Sequence, residues 1–134
     1  MKIYLYIDGA SRGNPGLGGA GAYVTDKGGK EICRLTKYLG KVTNNVAEYA
    51  ALFLGLKEAQ KRKVKEITIF SDSELLVRQI QGVYQVKNDV LKKKHEEVMK
   101  ILKNFNYKIF HVRREKNKIA DQLANEAIDQ ALEK

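Results

Sequence analysis

This chain is short of several things that would otherwise set its chemistry. A single cysteine, Cys33, among 134 residues cannot close an internal disulfide. It lies in the strand-like stretch Lys30 to Tyr38, where a half-buried thiol is the simpler reading than a reactive one, so a reducing compartment, the cytoplasm, is expected. No apolar run approaches the ~20 residues needed to cross a bilayer. The N-terminus enters an alternating pattern at once, at Met1-Lys2-Ile3-Tyr4, so no targeting segment is expected. Acidic residues are outnumbered, 16 against 25 Lys and Arg, for a formal net charge of +9. That excess calls for a polyanionic partner, nucleic acid first, although a Lys/Glu-rich surface is also common in heat-stable proteins. Lys61-Arg62-Lys63, Lys92-Lys93-Lys94 and Arg113-Arg114 spread the charge along the chain, which is not the pattern of a disordered tail.

What is present reads as one domain, residues 1–134, large enough to bury a core without a disulfide. Ile3, Leu5 and Ile7 alternate with Tyr4 and Tyr6, a strand whose regular part ends at Asp8-Gly9. The run Gly13 to Gly19 reads as turn, followed by strands over Ala20 to Thr25 and Lys30 to Leu39 joined at Asp26-Lys27-Gly28-Gly29. Helical spacing of Val46, Tyr49, Ala50, Phe53 and Leu56 predicts a largely buried helix from Asn44 to about Lys61. A β-branched strand over Val64 to Phe70 precedes a helix that Gly82 stops. A second helix spans about Asn88 to Asn104. Tyr107 to Val112 forms the last strand, and Asn117 opens a final helix lined by Ala120, Leu123, Ala124, Ala127, Ile128 and Ala131. The order is βββαβααβα. It implies an α/β fold with a five-stranded mixed sheet, three antiparallel strands then two parallel, flanked by helices on both faces.

Four acids, Asp8, Glu48, Asp72 and Asp121, fall where such a sheet collects ligands, at strand exits and in the first turns of the helices beside them. Each has a plainer explanation. Asn45 to Glu48 and Ser71 to Glu74 have the spacing of capping boxes, Asp121 suits the helix dipole, and Asp8 before Gly9 suits a turn. Independent caps have no reason to coincide at one sheet edge, however. Four carboxylates without His or Cys form an oxygen-rich site suited to Mg²⁺, with Mn²⁺ as substitute, and not to zinc. Paired ions in a basic protein suit phosphodiester hydrolysis. Gly16-Leu17-Gly18-Gly19-Ala20-Gly21 formally matches a dinucleotide fingerprint, but Ala22 to Thr25 reads as strand where that motif needs a helix. His95 lies in register with Leu91 and Val98, as a core-edge histidine does, and His111 on the last strand stays open between core and site.

Tyr6 to Gly16, Thr43 to Tyr49, Phe70 to Ser73 and Asn117 to Ala124 together resemble type 1 ribonuclease H, nearly end to end. The resemblance implies a ribonuclease H-like fold. It implies an endonuclease that hydrolyses the RNA strand of RNA/DNA hybrids with two Mg²⁺ ions, without strong sequence preference, leaving 5′-phosphate and 3′-hydroxyl ends. It makes Asp8, Glu48, Asp72 and Asp121 the catalytic metal ligands, with Glu48 also near the ribose 2′-hydroxyl. Gly9, Asn14, Asn44 and Asn45 match positions that touch the hybrid in its minor groove, and Lys41, Thr43 and Asn88 match a pocket for a phosphate of the DNA strand. Cleavage of RNA/RNA duplexes, or of branched DNA, is the nearest enzymatic alternative; a binding module without turnover is the non-enzymatic one. Two departures from the family pattern stand out. Arg113-Arg114-Glu115-Lys116 fills a short connection where many members carry a histidine-bearing loop, and the tryptophan-bearing basic protrusion is missing, with Lys92-Lys93-Lys94 as its candidate substitute. A monomer is expected, with no separate hybrid-binding domain ahead of Met1.

Overall fold

The structure, a computed structural model, describes residues 1–133. Strands β1 (Lys2–Gly13), β2 (Gly16–Asp26) and β3 (Glu31–Val42) lead into helix α1 (Asn44–Lys61). Strand β4 (Glu66–Ser71), helices α2 (Glu74–Ile80) and α3 (Asp89–Leu102), strand β5 (Asn106–His111), a short 3₁₀ turn (Arg114–Lys116) and helix α4 (Lys118–Leu132) complete the chain. The sheet order is β3-β2-β1-β4-β5. The first three strands are antiparallel neighbours, and β4 and β5 run parallel to β1. The mixed sheet follows from the connections. Two-residue and short turns join the meander, whereas α1 and the α2–α3 pair return the chain to the same end of the sheet before β4 and β5.

The early strands are longer than the sequence pattern suggests. Gly16 to Gly19, expected in a turn, belong to β2, and the β1–β2 turn shrinks to Asn14-Pro15 between Gly13 and Gly16. At Gly19, and at Gly21 beyond it, the reason is packing against α4. A Cβ on Gly21 would stand 2.5 Å from the Ala120 carbonyl oxygen, and one on Gly19 only 2.2 Å from that of Ala124. These glycines are a flat seat for a helix, not turn residues.

Alternation divides the core into two layers. Ile3, Leu5 and Ile7 of β1, with Ala20, Ala22 and Val24 of β2, face α1, α2 and α3 and are almost wholly buried. Gly55 of α1 lets that helix ride directly over Leu5, whose Cδ1 would lie 2.6 Å from an added Cβ. On the other side, Ala120, Leu123, Ala124, Ala127 and Ile128 of α4 cover β1, β2 and β3. Helices therefore do flank both faces, but unequally. The α1 layer spans the sheet, while α4 sits over one half of it.

Candidate active site

Parallel pairing of β1 with β4 runs from Lys2 opposite Glu66 to Ile7 opposite Ser71 and stops there. Strand β1 continues to Gly13 with β2 alone as partner. Asp8 is thus the first β1 residue with no β4 neighbour, and Asp72 the first residue beyond β4. The expected strand exit is an exit from the parallel ladder, not from the strand. Two local hydrogen bonds turn the chain there: the Ser73 amide donates to Ser71 Oγ (3.1 Å), and the Leu76 amide to Ser73 Oγ (3.2 Å). Ser73 is the N-cap of α2, so Asp72 stands outside the helix and is not its cap.

Glu48 reaches the same point because α1 touches β1 backbone to backbone. A Cβ on Gly9 would lie 2.2 Å from the Ala47 carbonyl carbon, so only glycine permits the approach. The N-cap of α1 is Thr43, whose Oγ1 accepts from the Val46 amide (3.3 Å). This removes the capping-box explanation of Glu48, which is 5% exposed and whose Oε2 has no hydrogen-bond partner. Asp121 comes from the opposite layer. Asn117 begins α4 and its Nδ2 donates to the Ile7 carbonyl (2.8 Å), fixing the helix start beside Asp8.

The four acids line one cleft of about 360 Å³. Carboxylate oxygens of Asp8, Glu48 and Asp72 lie within 4.8 Å of one another, a group that could hold a metal ion. The electrostatics show what such crowding does. Burial raises the Asp8 pKa from 3.8 to about 8, with the Asp72 charge and the Asp121 carboxyl adding to it. Burial also pushes Glu48 well above its usual range, followed by the charges of Asp8 and Asp72. Asp72 is raised by burial too, although its contact with Asp8 and the Arg114 guanidinium pull the other way. Carboxyls crowded and buried this closely resist carrying charge together, and a small, highly charged cation would relieve that cost. An all-oxygen donor set with an unpartnered buried Glu48 Oε2 fits a divalent ion.

Gly9 and Asn44 line the cleft beside the acids. Asn14 lies behind them, its Oδ1 accepting from the Asn44 amide (3.0 Å), which ties the β1–β2 turn to the start of α1. Asn45 is half-buried and outside the cleft, and Lys41 is exposed on β3. Thr43 caps α1, and Asn88 caps α3, its Oδ1 accepting from Val90 and Leu91 amides (2.9 and 3.1 Å). Both caps are sufficient structural reasons for Thr43 and Asn88.

The structure adds His111, Arg113 and Arg114 to the cleft wall. The available signal was topological: β5 runs parallel to β4, so the residues after it must arrive at the end of the sheet where Asp72 stands. His95 is elsewhere, its Nε2 3.2 Å from the Gln79 carbonyl, while Gln79 Oε1 accepts from the buried Tyr49 hydroxyl (2.7 Å). It links α3 to α2 and α1, the core-edge role its register suggested.

A family model described as "Reverse transcriptase-like" matches residues 6–127. The bifunctional protein Rv2228c of Mycobacterium tuberculosis is 39% identical over 98% of this chain, which spans 36% of that relative's length. Ribonuclease HI of Halobacterium salinarum is 36% identical over 97% of the chain and 66% of its own length. The crystal structure of the Halobacterium enzyme superposes with a TM-score of 0.94, covering 97% of this chain and 99% of that one at 35% identity. LC11-RNase H1, solved in complex with an RNA/DNA hybrid, gives 0.93 at 45% identity over 97% and 99% of the two chains. In sequence blocks, in strand order and in the place where its acids meet, this chain belongs to the type 1 ribonuclease H family.

Proposed function

We propose that the chain hydrolyses the RNA strand of RNA/DNA hybrids, with two divalent ions, Mg²⁺ or in substitution Mn²⁺, held by Asp8, Glu48, Asp72 and Asp121. The observation that carries this is the convergence of three desolvated carboxylates within 4.8 Å in a protein of net charge +9. Such a cluster repels a phosphate backbone unless cations intervene, and has no purpose in a simple binding surface.

When bound, the ions supply Lewis acidity for displacement at a phosphodiester by water. The P–O bond to the 3′-oxygen breaks as the bond to water forms, leaving a 5′-phosphate and a 3′-hydroxyl. The chain's own part is placement. Asp8 and Asp72, at the end of the β1–β4 ladder, would hold the ions between them. Glu48 is anchored by the α1–β1 contact at Gly9, so its free Oε2 is held where a ligand or a ribose 2′-hydroxyl can use it. Asp121, carried in by α4, closes the set. Arg114, which already offsets the Asp72 charge, stands where other members place a loop histidine and is positioned to meet a phosphate. Gly9, Asn14, Asn44 and Asn45 would meet the hybrid across its shallow minor groove, and Lys41, Thr43 and Asn88 a DNA-strand phosphate, contacts that carry no base sequence. The acting unit is residues 1–134 as one catalytic domain, monomeric and cytoplasmic. Its one cysteine is free, in keeping with a reducing compartment, and no helix of the described residues is long and apolar enough to cross a membrane.

The test is cleavage of RNA/DNA, RNA/RNA and DNA/DNA duplexes of one sequence with Mg²⁺, Mn²⁺ or EDTA, run beside Asp72→Asn. Metal-dependent cutting of the RNA in the hybrid is expected. Removing a partner of a metal ligand typically costs up to about 100-fold, so loss of the ligand itself should exceed that. Near-normal cutting by Asp72→Asn would take this cluster out of the mechanism, and hybrid binding without cutting would make the protein a binding module.

A further inference from the structure

On the α4 side of the sheet, four aromatic residues stand at one level on four adjacent strands. Tyr6 is paired with Tyr23 across β1–β2 and with Phe70 across β1–β4, and Phe70 with Phe110 across β4–β5. Ring centroids are 5.9 Å apart for Tyr6 and Tyr23, 4.8 Å for Tyr6 and Phe70, and 6.1 Å for Phe70 and Phe110. The last two pairs are close to parallel, at 18° and 27°. Tyr4 packs edge-on against Phe70. This row is not a closed core. Helix α4 lies over β1 to β3, so Tyr6, Tyr23 and Phe70 remain part-exposed and Phe110 is 47% exposed. A sheet face left to water normally carries polar residues at such positions.

The rim of the row is basic. Lys2 lies over Tyr4 and Arg34 over Tyr23, at 6.0 and 5.5 Å from the ring centroids. Lys108 is exposed two residues before Phe110 and shares its face. A cleft of about 310 Å³ opens at the α4 end, lined by Tyr6, Tyr23, Lys116, Lys118 and Asn117, the last with a buried Oδ1 that has no partner. Outside the catalytic cleft, the acids around the row are Glu31, already paired with Arg34, Glu66 on β4 and Glu115 in the α4-end cleft. The cations outnumber them. The face is also continuous with the catalytic cleft. Asp8 and Asp72 lie two residues beyond Tyr6 and Phe70, a strand distance of about 7 Å. The β5–α4 connection lines both clefts, with Arg113 and Arg114 in one and Glu115 to Asn117 in the other.

We propose that this aromatic row is a stacking platform for single-stranded nucleic acid, taking the unpaired extension of a hybrid whose duplex part occupies the catalytic cleft. The inference rests on the nucleic-acid reading of that cleft. The rings stack on one another, so the face they offer is the outer one of Phe110, 47% exposed at the end of the row; a base stacks there without regard to sequence, and the lysine rim accepts the flanking phosphates. A protein partner would have no use for so basic a border beside a phosphate-handling site.

The test compares a blunt hybrid with the same hybrid carrying a single-stranded extension of about ten nucleotides, within the usual site size for such surfaces. The extension is placed at either end, and a version with abasic sugars serves as a third probe. Affinity is read by fluorescence anisotropy with the Asp72→Asn protein, which leaves the hybrid intact, and cleavage of the blunt hybrid is read with Asp72 in place. An extension of one polarity should tighten binding by about five-fold or more, as stacking of one or two bases gives. Phe110→Ala and Lys108→Glu should each abolish most of that gain while leaving blunt-hybrid affinity and cleavage unchanged. Lys108 is exposed, so its variant remains informative should Phe110→Ala fold poorly. No gain from either extension overturns the proposal. So does a gain that both variants retain, a gain the abasic extension reproduces, or a shift in oligomeric state as the sole effect of Phe110→Ala. Failure of the function reading looks different: the blunt hybrid is then neither bound nor cut, and binding of the free single strand still decides the platform.

Discussion

Asp8 has a folded pKa of about 8 against an ordinary 3.8, and the sign of that shift makes a prediction at the scale of one residue. A carboxyl whose pKa rises on folding binds more protons in the native state, so its contribution to stability is full below its unfolded pKa and is lost as pH climbs through the folded one. Burial drives the shift first, and the Asp72 charge second. Melting of the EDTA-treated protein should therefore occur at a lower temperature at pH 8 than at pH 5, by about 5 °C or more. Mg²⁺ should recover the loss at pH 8 and have little effect at pH 5. Asp8→Asn should flatten the metal-free profile; if instead it keeps the full slope, the strain lies with other groups. The identity of these residues was legible in the sequence, since Asp8, Glu48, Asp72 and Asp121 sit at predicted strand exits and helix starts. The raised proton affinity of Asp8, Glu48 and Asp72 was not, because it depends on burial and on neighbours from separate segments.

At the scale of elements, two glycine contacts hold the acids in place. Gly9 admits α1 to β1 and so brings in Glu48; Gly21 admits α4 to β2 and so brings in Asp121. A methyl group on Gly21 would meet the Ala120 carbonyl oxygen at 2.5 Å, a backbone atom that moves only if the whole helix does. Gly21→Ala should therefore cost about 2–3 kcal/mol in denaturant unfolding, the upper range for overpacking. It should also weaken Mg²⁺-dependent activity by displacing Asp121. Gly29→Ala is the control, since an added Cβ there meets nothing, leaving the positive φ of 90° as its one source of strain. Equal losses for both substitutions would show that helix seating at Gly21 has no special weight. The sequence alone read Gly13 to Gly19 as turn and set aside the dinucleotide pattern over Gly16 to Gly21. The turn reading fails at Gly19, because that glycine, like Gly21, answers to a helix about a hundred residues further along the chain.

For the whole molecule the question is what the positive charge is for. Among the described residues there are three ion pairs, Arg12 with Asp129, Arg34 with Glu31 and Arg62 with Glu58. All are at least partly exposed, and exposed pairs contribute little. A network of the heat-stable kind would use far more of the 25 cations. The charge is left available to phosphates, and the expected signature is a steep salt dependence. If about six phosphates are neutralised, hybrid affinity should fall by about 10³-fold between roughly 50 and 200 mM salt. A shallow slope in a binding titration would mean that the basic surface serves solubility alone.

The sequence by itself determined the order of elements, the mixed sheet and the four acids, because hydrophobic periodicity, glycine stops and capping residues are local signals carried within each segment. It also determined the family, through four blocks of residues whose order a fold must respect. Tertiary structure decided the rest. It showed that β1 outruns β4 at Asp8, that Thr43 and not Asn45 caps α1, and that Arg114 and His111 reach the acidic cleft. It also lined up Tyr23, Tyr6, Phe70 and Phe110, which are far apart in the chain. Those outcomes depend on register between strands and on the distance at which a helix can lie on a sheet. Both are set by contacts between remote residues, which no local pattern encodes.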